Sequence, residues 1–210
     1  MGKQKYLSDI KNLFKKSPVV SFKSIERIIK NKKRVKQYTK QLIRNLISKN
    51  KIKKLAKGYY TSHDEVSFSV FCFKPAYFGL QDALSIYELW EQETIPIIIT
   101  TRKVRQGIRK ILKVNVLIRR ITPKYLFGFD YYKDGDFYFP YSDVEKTFID
   151  MVYFKQPLDE EVIKNFRKKI NVKKLGAYLK KYPKKFRNRV LLKLGKGGGK
   201  RVYSAGDKKF

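Results

Sequence analysis

The chain has 210 residues, 50 Lys and Arg against 18 Asp and Glu, and a formal net charge of +32. An apolar content of 42%, with 15 Tyr and 15 Phe, excludes wholesale disorder. One cysteine (Cys72) and one histidine (His63) exclude an intrachain disulfide, a Cys-rich zinc site and a histidine cluster, and the longest aliphatic run, Ile97 to Ile99, is too short to span a bilayer.

The charge is uneven. Residues 1–62 carry 19 basic and 2 acidic residues, 63–154 carry 12 of each, and 155–210 carry 19 and 4. A uniformly lysine-rich chain would not leave its middle neutral, so the distribution reads as functional. Met1 to Lys5 is followed by no apolar signal core, and the expected location is cytoplasmic.

Tyr6, Leu7, Ile10, Leu13 and Phe14 repeat at helical spacing and predict a first helix, stopped by Ser17-Pro18. Val19 to Ser21 suits a short strand, and Phe22, Ile25, Ile28 and Ile29 a second helix. The polar run Asn31 to Arg34 reads as a turn. A third helix is expected from about Val35 to Lys49. Val35, Thr39, Leu42, Ile43, Leu46 and Ile47 face one way; Lys36, Gln37, Lys40, Gln41 and Arg44 face the other. Ile52 to Ala56 and Tyr59 to Thr61 then predict a hairpin turning at Lys57-Gly58. Three helices closed by a basic hairpin is winged-helix order, in which the third helix enters the DNA major groove. Gln37 and Gln41 suit adenine edges, Lys36, Lys40 and Arg44 suit guanine or phosphate, and Lys53, Lys54 and Lys57 suit phosphates beside the groove.

The middle changes character. Phe68 to Phe73 alternates as a strand, Gly79 to Trp90 reads as a helix, and Ile95 to Thr101 and Val114 to Ile121 read as buried strands. Tyr125 to Phe129 and Phe137 to Tyr141 predict two more strands, with Asp134-Gly135 as the turn signal before the second. Ser142-Asp143-Val144-Glu145 has the S-x-x-E form of a capping box, opening a helix through about Phe154. Leu158 to Lys169, Val172 to Lys181 and Phe186 to Leu194 predict three final helices, punctuated by Asn171 and Pro183. Lys184, Lys185, Arg187 and Arg189 are candidates for secondary nucleic-acid contacts, and Gly195 to Arg201 has linker composition.

Little in the sequence reads as catalytic. No phosphate-binding G-x-x-x-x-G-K-[ST] motif is present, and a nucleophilic dyad would rest on His63 alone. A metal nuclease would need its carboxylates from Asp130, Asp134, Asp136, Asp143, Glu145 and Asp150. Glu145 is already assigned to helix capping, and Asp82, Glu88, Glu91 and Glu93 read as a solvated helix face. The expectation is a non-enzyme with no cofactor and no metal.

Several motifs occur in a suggestive order: the wing end Lys57-Gly58-Tyr59-Tyr60, the stretch Tyr77-Phe78-Gly79-Leu80-Gln81-Asp82-Ala83-Leu84, the element Glu91 to Pro96, Phe127-Gly128, and Pro140 to Asp150 with its Glu145-Lys146 and Ile149-Asp150 pairs. Together they resemble the AbiEi-type antitoxin and transcriptional regulator family over roughly residues 5–190. Ser142-Asp143-Val144, Thr147-Phe148 and the Lys/Gly tail depart from its pattern. The resemblance implies a winged helix that binds inverted repeats in its own promoter, as a dimer or a pair of monomers, and a C-terminal domain that counteracts a toxin of nucleotidyltransferase fold.

The sequence therefore predicts a mixed α+β chain. Residues 1–62 form a winged helix-turn-helix, 68–194 a small-sheet α/β domain with C-terminal helices, and 195–210 a basic tail. The expected function is a sequence-specific DNA-binding regulator of antitoxin type that represses its own operon. The alternative is a protein that binds RNA or DNA by charge without reading sequence.

Overall fold

The computed structural model describes residues 6–29 and 34–195. The tail beyond residue 195 and all but Arg34 of the expected turn at 31–34 lie outside them. The fold is mixed α+β, as expected. In chain order it runs α1 (Leu7–Lys16), β1 (Val20–Ser21), α2 (Phe22–Ile28), α3 (Val35–Ser48), β2 (Lys53–Ala56), β3 (Tyr59–Thr61), β4 (Ala76–Phe78), α4 (Gln81–Ile86), β5 (Ile97–Thr100), β6 (Gly107–Ile111), β7 (Val114–Arg120), β8 (Phe129–Asp134), β9 (Phe137–Ser142), α5 (Val144–Tyr153), α6 (Glu160–Lys169), α7 (Val172–Leu179) and α8 (Lys184–Gly195). Two compact units contain these elements. The first holds the chain up to Phe78 and Ile95–Ile121; the second holds Gly79–Thr94 and the chain from Thr122 onward.

The first unit opens with the winged helix. Ser17 Oγ donates to Val19 O at 2.9 Å where α1 gives way to β1. Ser21 caps α2 by accepting the Ser24 N–H at 3.0 Å. Ile10, Phe14, Val20, Ile25, Ile29, Ile43, Leu46, Ile52 and Tyr60 close one buried core beneath α1, α2, α3 and a small sheet of order β1-β3-β2. Each large aliphatic side chain buried there contributes about 1.5–3 kcal/mol. The wing turns at Gly58, whose φ of +79° is a backbone conformation only glycine adopts without strain.

The same unit continues past residue 62. Val66–Phe73 is a 3₁₀ helix, not the expected strand. Phe68, Val70, Cys72 and Phe73 are all buried, and a run that is apolar at nearly every position cannot distinguish the two by periodicity. Beyond it β4 pairs antiparallel with β5, β5 parallel with β7, and β7 antiparallel with β6. All four residues of β5 are buried, as suits a strand covered on both faces. Thr100 Oγ1 donates to Phe73 O at 2.6 Å and accepts the Arg102 N–H at 3.0 Å, tying the strand end to the 3₁₀ helix. Strands β4 and β6 have no counterpart among the predicted elements.

The second unit holds α4, the β8–β9 hairpin and α5 to α8. Helix α4 is shorter than expected because Leu80 and Glu88 take φ values of 59° and 52°, outside the helical region, at its flanks. The strand expected from Tyr125 to Phe129 begins only at Phe129: Pro123–Tyr125 is a 3₁₀ turn and Gly128 sits at φ +68°. A Cβ on Gly128 would lie 2.7 Å from the Tyr178 ring and 3.0 Å from Lys146 Cβ, so only glycine fits. Asp143, Asp159 and Asn171 cap α5, α6 and α7 by accepting the N–H groups of Lys146, Val162 and Lys174 at 2.7, 2.8 and 3.1 Å. Helix α5 is buried along most of its length, and Phe148 meets Phe166 of α6 edge-on at 4.9 Å.

Candidate nucleic-acid interface

Helix α3 presents the two faces its sequence requires. Thr39, Ile43 and Leu46 are buried in the winged-helix core, while Lys36, Gln37, Lys40, Gln41 and Arg44 are exposed. These five positions fall at i, i+1, i+4, i+5 and i+8, one stripe along the helix. Its register is fixed by burial of the opposite face and by Tyr38, whose ring meets Tyr6 of the α1 approach edge-on at 6.2 Å. Gln41 Nε2 donates to Asn45 Oδ1 at 3.1 Å, an exposed contact one turn away. That bond holds the amide along the helix surface and, being exposed, contributes little net stability.

The wing supplies further cations. Lys54 and Lys57 are exposed, and a β-bulge between Lys54 and Ala56 bends the strand that carries Lys54 and leads into the turn at Lys57. Lys53 is half-buried and ion-paired with the exposed Asp64. Arg102 braces the inner side of the wing: its guanidinium donates to Tyr59 Oη at 3.4 Å and to the Cys72 carbonyl. Between residues 27 and 63 the sequence has thirteen Lys and Arg and no Asp or Glu. The eight expected DNA-contacting residues all belong to this one unit.

The four secondary candidates lie on α8 of the second unit. Lys184, Lys185 and Arg189 are exposed. Arg187 is half-buried, its Nε enclosed with no hydrogen-bond partner among the described residues. The second unit also has an acidic side, a cavity of about 210 Å³ lined by Glu88, Glu91, Asp159 and Glu161 beside Trp90. Such a surface repels a polyanion.

The carboxylates screened for nuclease chemistry separate into two groups. Asp130, exposed on β8, and Asp134 and Asp136, at the exposed turn of the β8–β9 hairpin, form the first. Asp143, Glu145 and Asp150 are buried along α5. The capping-box expectation is corrected here. Asp143, not Ser142, is the N-cap, and Ser142 Oγ instead lies 2.7 Å from Thr147 Oγ1. Glu145 reaches away from the helix end to accept the Asn171 N–H at 2.7 Å. An aspartate one residue later makes the better cap because its carboxylate points back at the Lys146 N–H. Lys174 then bridges Asp143 and Glu145 at 3.1 and 3.3 Å, and Tyr178 Oη donates to Asp143 at 2.7 Å.

Ionisation follows this wiring. Burial works against the Lys174 ammonium, but the hydrogen bond and charge of Asp143, with those of Glu145, outweigh it and raise its pKa above the usual lysine value. Burial and then the bond to Asp143 raise the Tyr178 hydroxyl. Burial lowers the pKa of Lys146, against the pull of its ion-pair partner Asp150. Tyr87 is pushed up to about 12, by burial first and then by Asp143 and Asp130. Among the described residues no group of three or more His, Cys, Asp or Glu is arranged to hold a metal ion. Cys72 is buried, and burial pushes its thiol up to about 12. His63 packs against Phe68 at 4.6 Å, within 3.9 Å of Glu65.

Sequence reasoning missed one basic element, the β6–β7 hairpin. Residues 95–121 hold eight Lys and Arg and no Asp or Glu. Counting charge over 63–154 hid them behind the acidic residues on either side. Among the described residues no helix is long and apolar enough to cross a membrane. No protein-family model matches the chain, and no curated protein matches it.

Proposed function

We propose that this chain is a sequence-reading, duplex-DNA-binding transcriptional regulator whose α3 enters the major groove and whose wing lies on the adjacent backbone. One observation carries the reading: the exposed face of α3 places two amides, Gln37 and Gln41, among Lys36, Lys40 and Arg44 on a helix whose other face is locked in a core. Cations alone suffice for phosphate, whereas amides are suited to adenine edges, so the mixed face supports base reading as well as charge. Lys54 and Lys57 on the wing contact phosphate and orient the helix. Autorepression at an inverted repeat, and counteraction of a nucleotidyltransferase-like toxin by the second unit, follow from the motif resemblance and complete the proposal.

Selection of the full chain against a random duplex library tests the function. A discrete enriched half-site, bound far more tightly than bulk duplex, is the expected result. Equal binding to every duplex and to RNA would overturn sequence reading in favour of a charge-driven binder.

A further inference from the structure

Beside the wing lies a second basic ribbon. Strand β6 packs against the wing strand β2 within the first unit, so the β6–β7 hairpin and the wing are neighbours. Lys110, Lys113 and Arg120 of the ribbon, and Lys103 and Arg105 on the segment that leads into it, are exposed. Arg109 is occupied otherwise: its guanidinium lies over the Phe73 ring at 5.7 Å and donates to Arg105 O at 2.5 Å. That contact steadies the approach to β6 and leaves its neighbours facing water.

The tip is unusual. Ile111 pairs with Val114, leaving a two-residue turn at Leu112 and Lys113 with φ values of 47° and 71°. Asn-Gly or Gly-Gly fills such a turn without strain. Here a leucine and a lysine hold left-handed backbone, which puts an exposed cation at the end of the ribbon. Strained turn residues cluster where a side chain is presented for binding.

We propose that the β6–β7 hairpin is a second phosphate-binding element that extends the DNA footprint outward from the wing. The inference rests on the first unit binding duplex DNA and assigns it a further site. Lys103, Arg105, Lys110 and Lys113 meet backbone phosphates beyond the bases read by α3. The contacts are electrostatic and independent of sequence. They steepen the salt dependence of binding and require a duplex longer than α3 and the wing cover.

The same charges would also shield β6, an edge strand, from pairing with another chain. The experiment separates the two roles. Wild type and the Lys103→Gln/Arg105→Gln/Lys110→Gln/Lys113→Gln variant are titrated at several salt concentrations. The duplexes are about ten base pairs, one turn, and about thirty. Circular dichroism melting confirms the fold, and the single Lys113→Gln variant repeats the test with minimal perturbation.

Wild type is expected to bind the longer duplex with the steeper log K against log salt slope. The quadruple variant should lose about 3 to 4 from that slope on the long duplex and about nothing on the short one. Lys113→Gln should lose about 1 on the long duplex. An unchanged slope for both variants, with or without self-association in sedimentation, overturns the hairpin site while leaving DNA binding by α3 intact. Wild type that binds neither duplex overturns the proposed function, and the hairpin site with it.

Discussion

The two units handle charge in opposite ways. The first has 28 Lys and Arg against 4 Asp and Glu, the second 22 against 14. In the first, no charged side chain is buried among the described residues; its core is apolar with a few hydroxyls. In the second, Asp143, Glu145, Lys146 and Asp150 are buried on a single helix. Charge left in water is available to a partner at little desolvation cost, while charge taken inside is committed to the fold. The proposed function draws on the exposed charge of the first unit, while the buried charge of the second wires its own fold.

The largest effect should come from the wiring. Removing one member of the Lys146–Asp150 pair, as in Lys146→Met or Asp150→Leu, strands a buried charge and should destabilise by about 3–5 kcal/mol. The double variant Lys146→Met/Asp150→Leu should recover much of that loss. Urea unfolding of all three checks it. Equal losses in the single and double variants would show that shape, not charge pairing, dominates at α5.

A smaller effect is expected from the ion pair between Asp64 and Lys53, an expected DNA contact. Asp64→Asn frees Lys53 and removes a negative charge beside the wing, so binding to every duplex should tighten a few-fold, most clearly at low salt. Weaker binding would mean that Asp64 holds Lys53 in its binding position.

The smallest effect is a matter of pH. Because the folded-state pKa of Lys174 is raised, its contribution to stability is complete below the ordinary lysine value of 10.5 and is lost as pH climbs through the raised value. Lys174→Met should therefore lower stability at neutral pH, and its deficit against wild type should shrink in strongly alkaline solution. A deficit unchanged as pH climbs through that range would contradict the assigned pairing with Asp143 and Glu145.

The winged helix was legible because its apolar residues recur at helical spacing and its punctuation is local: Ser17-Pro18, then Gly58 at the wing turn. Every helix and strand expected from Leu7 to Thr61 is found close to its expected place. The region from 63 to 129 was harder to read. In the run Val66–Phe73, Ser67 and Ser69 alternate with apolar residues as in a strand, yet Ser69 is buried along with its apolar neighbours. Strand β6 was hidden because Arg109 and Lys110 mask its alternation, and Gly128 interrupts a stretch that otherwise reads as strand. The knot around Asp143 joins residues as far apart as 143 and 178, and a local S-x-x-E pattern pointed to the wrong cap. The exposed stripe on α3 was legible because burial of one helix face determines the other.

The central claim is that α3 reads bases while the wing holds the backbone. Its most direct test is a salt titration of wild type, Gln41→Ala and Lys54→Ala on the selected site and on random duplex. Gln41→Ala is expected to cost about 1–3 kcal/mol on the selected site and little on random DNA. Lys54→Ala should weaken both DNAs alike and reduce the log K against log salt slope by about 1. If both substitutions weaken the two DNAs equally, the protein binds by charge alone and base reading by α3 is contradicted.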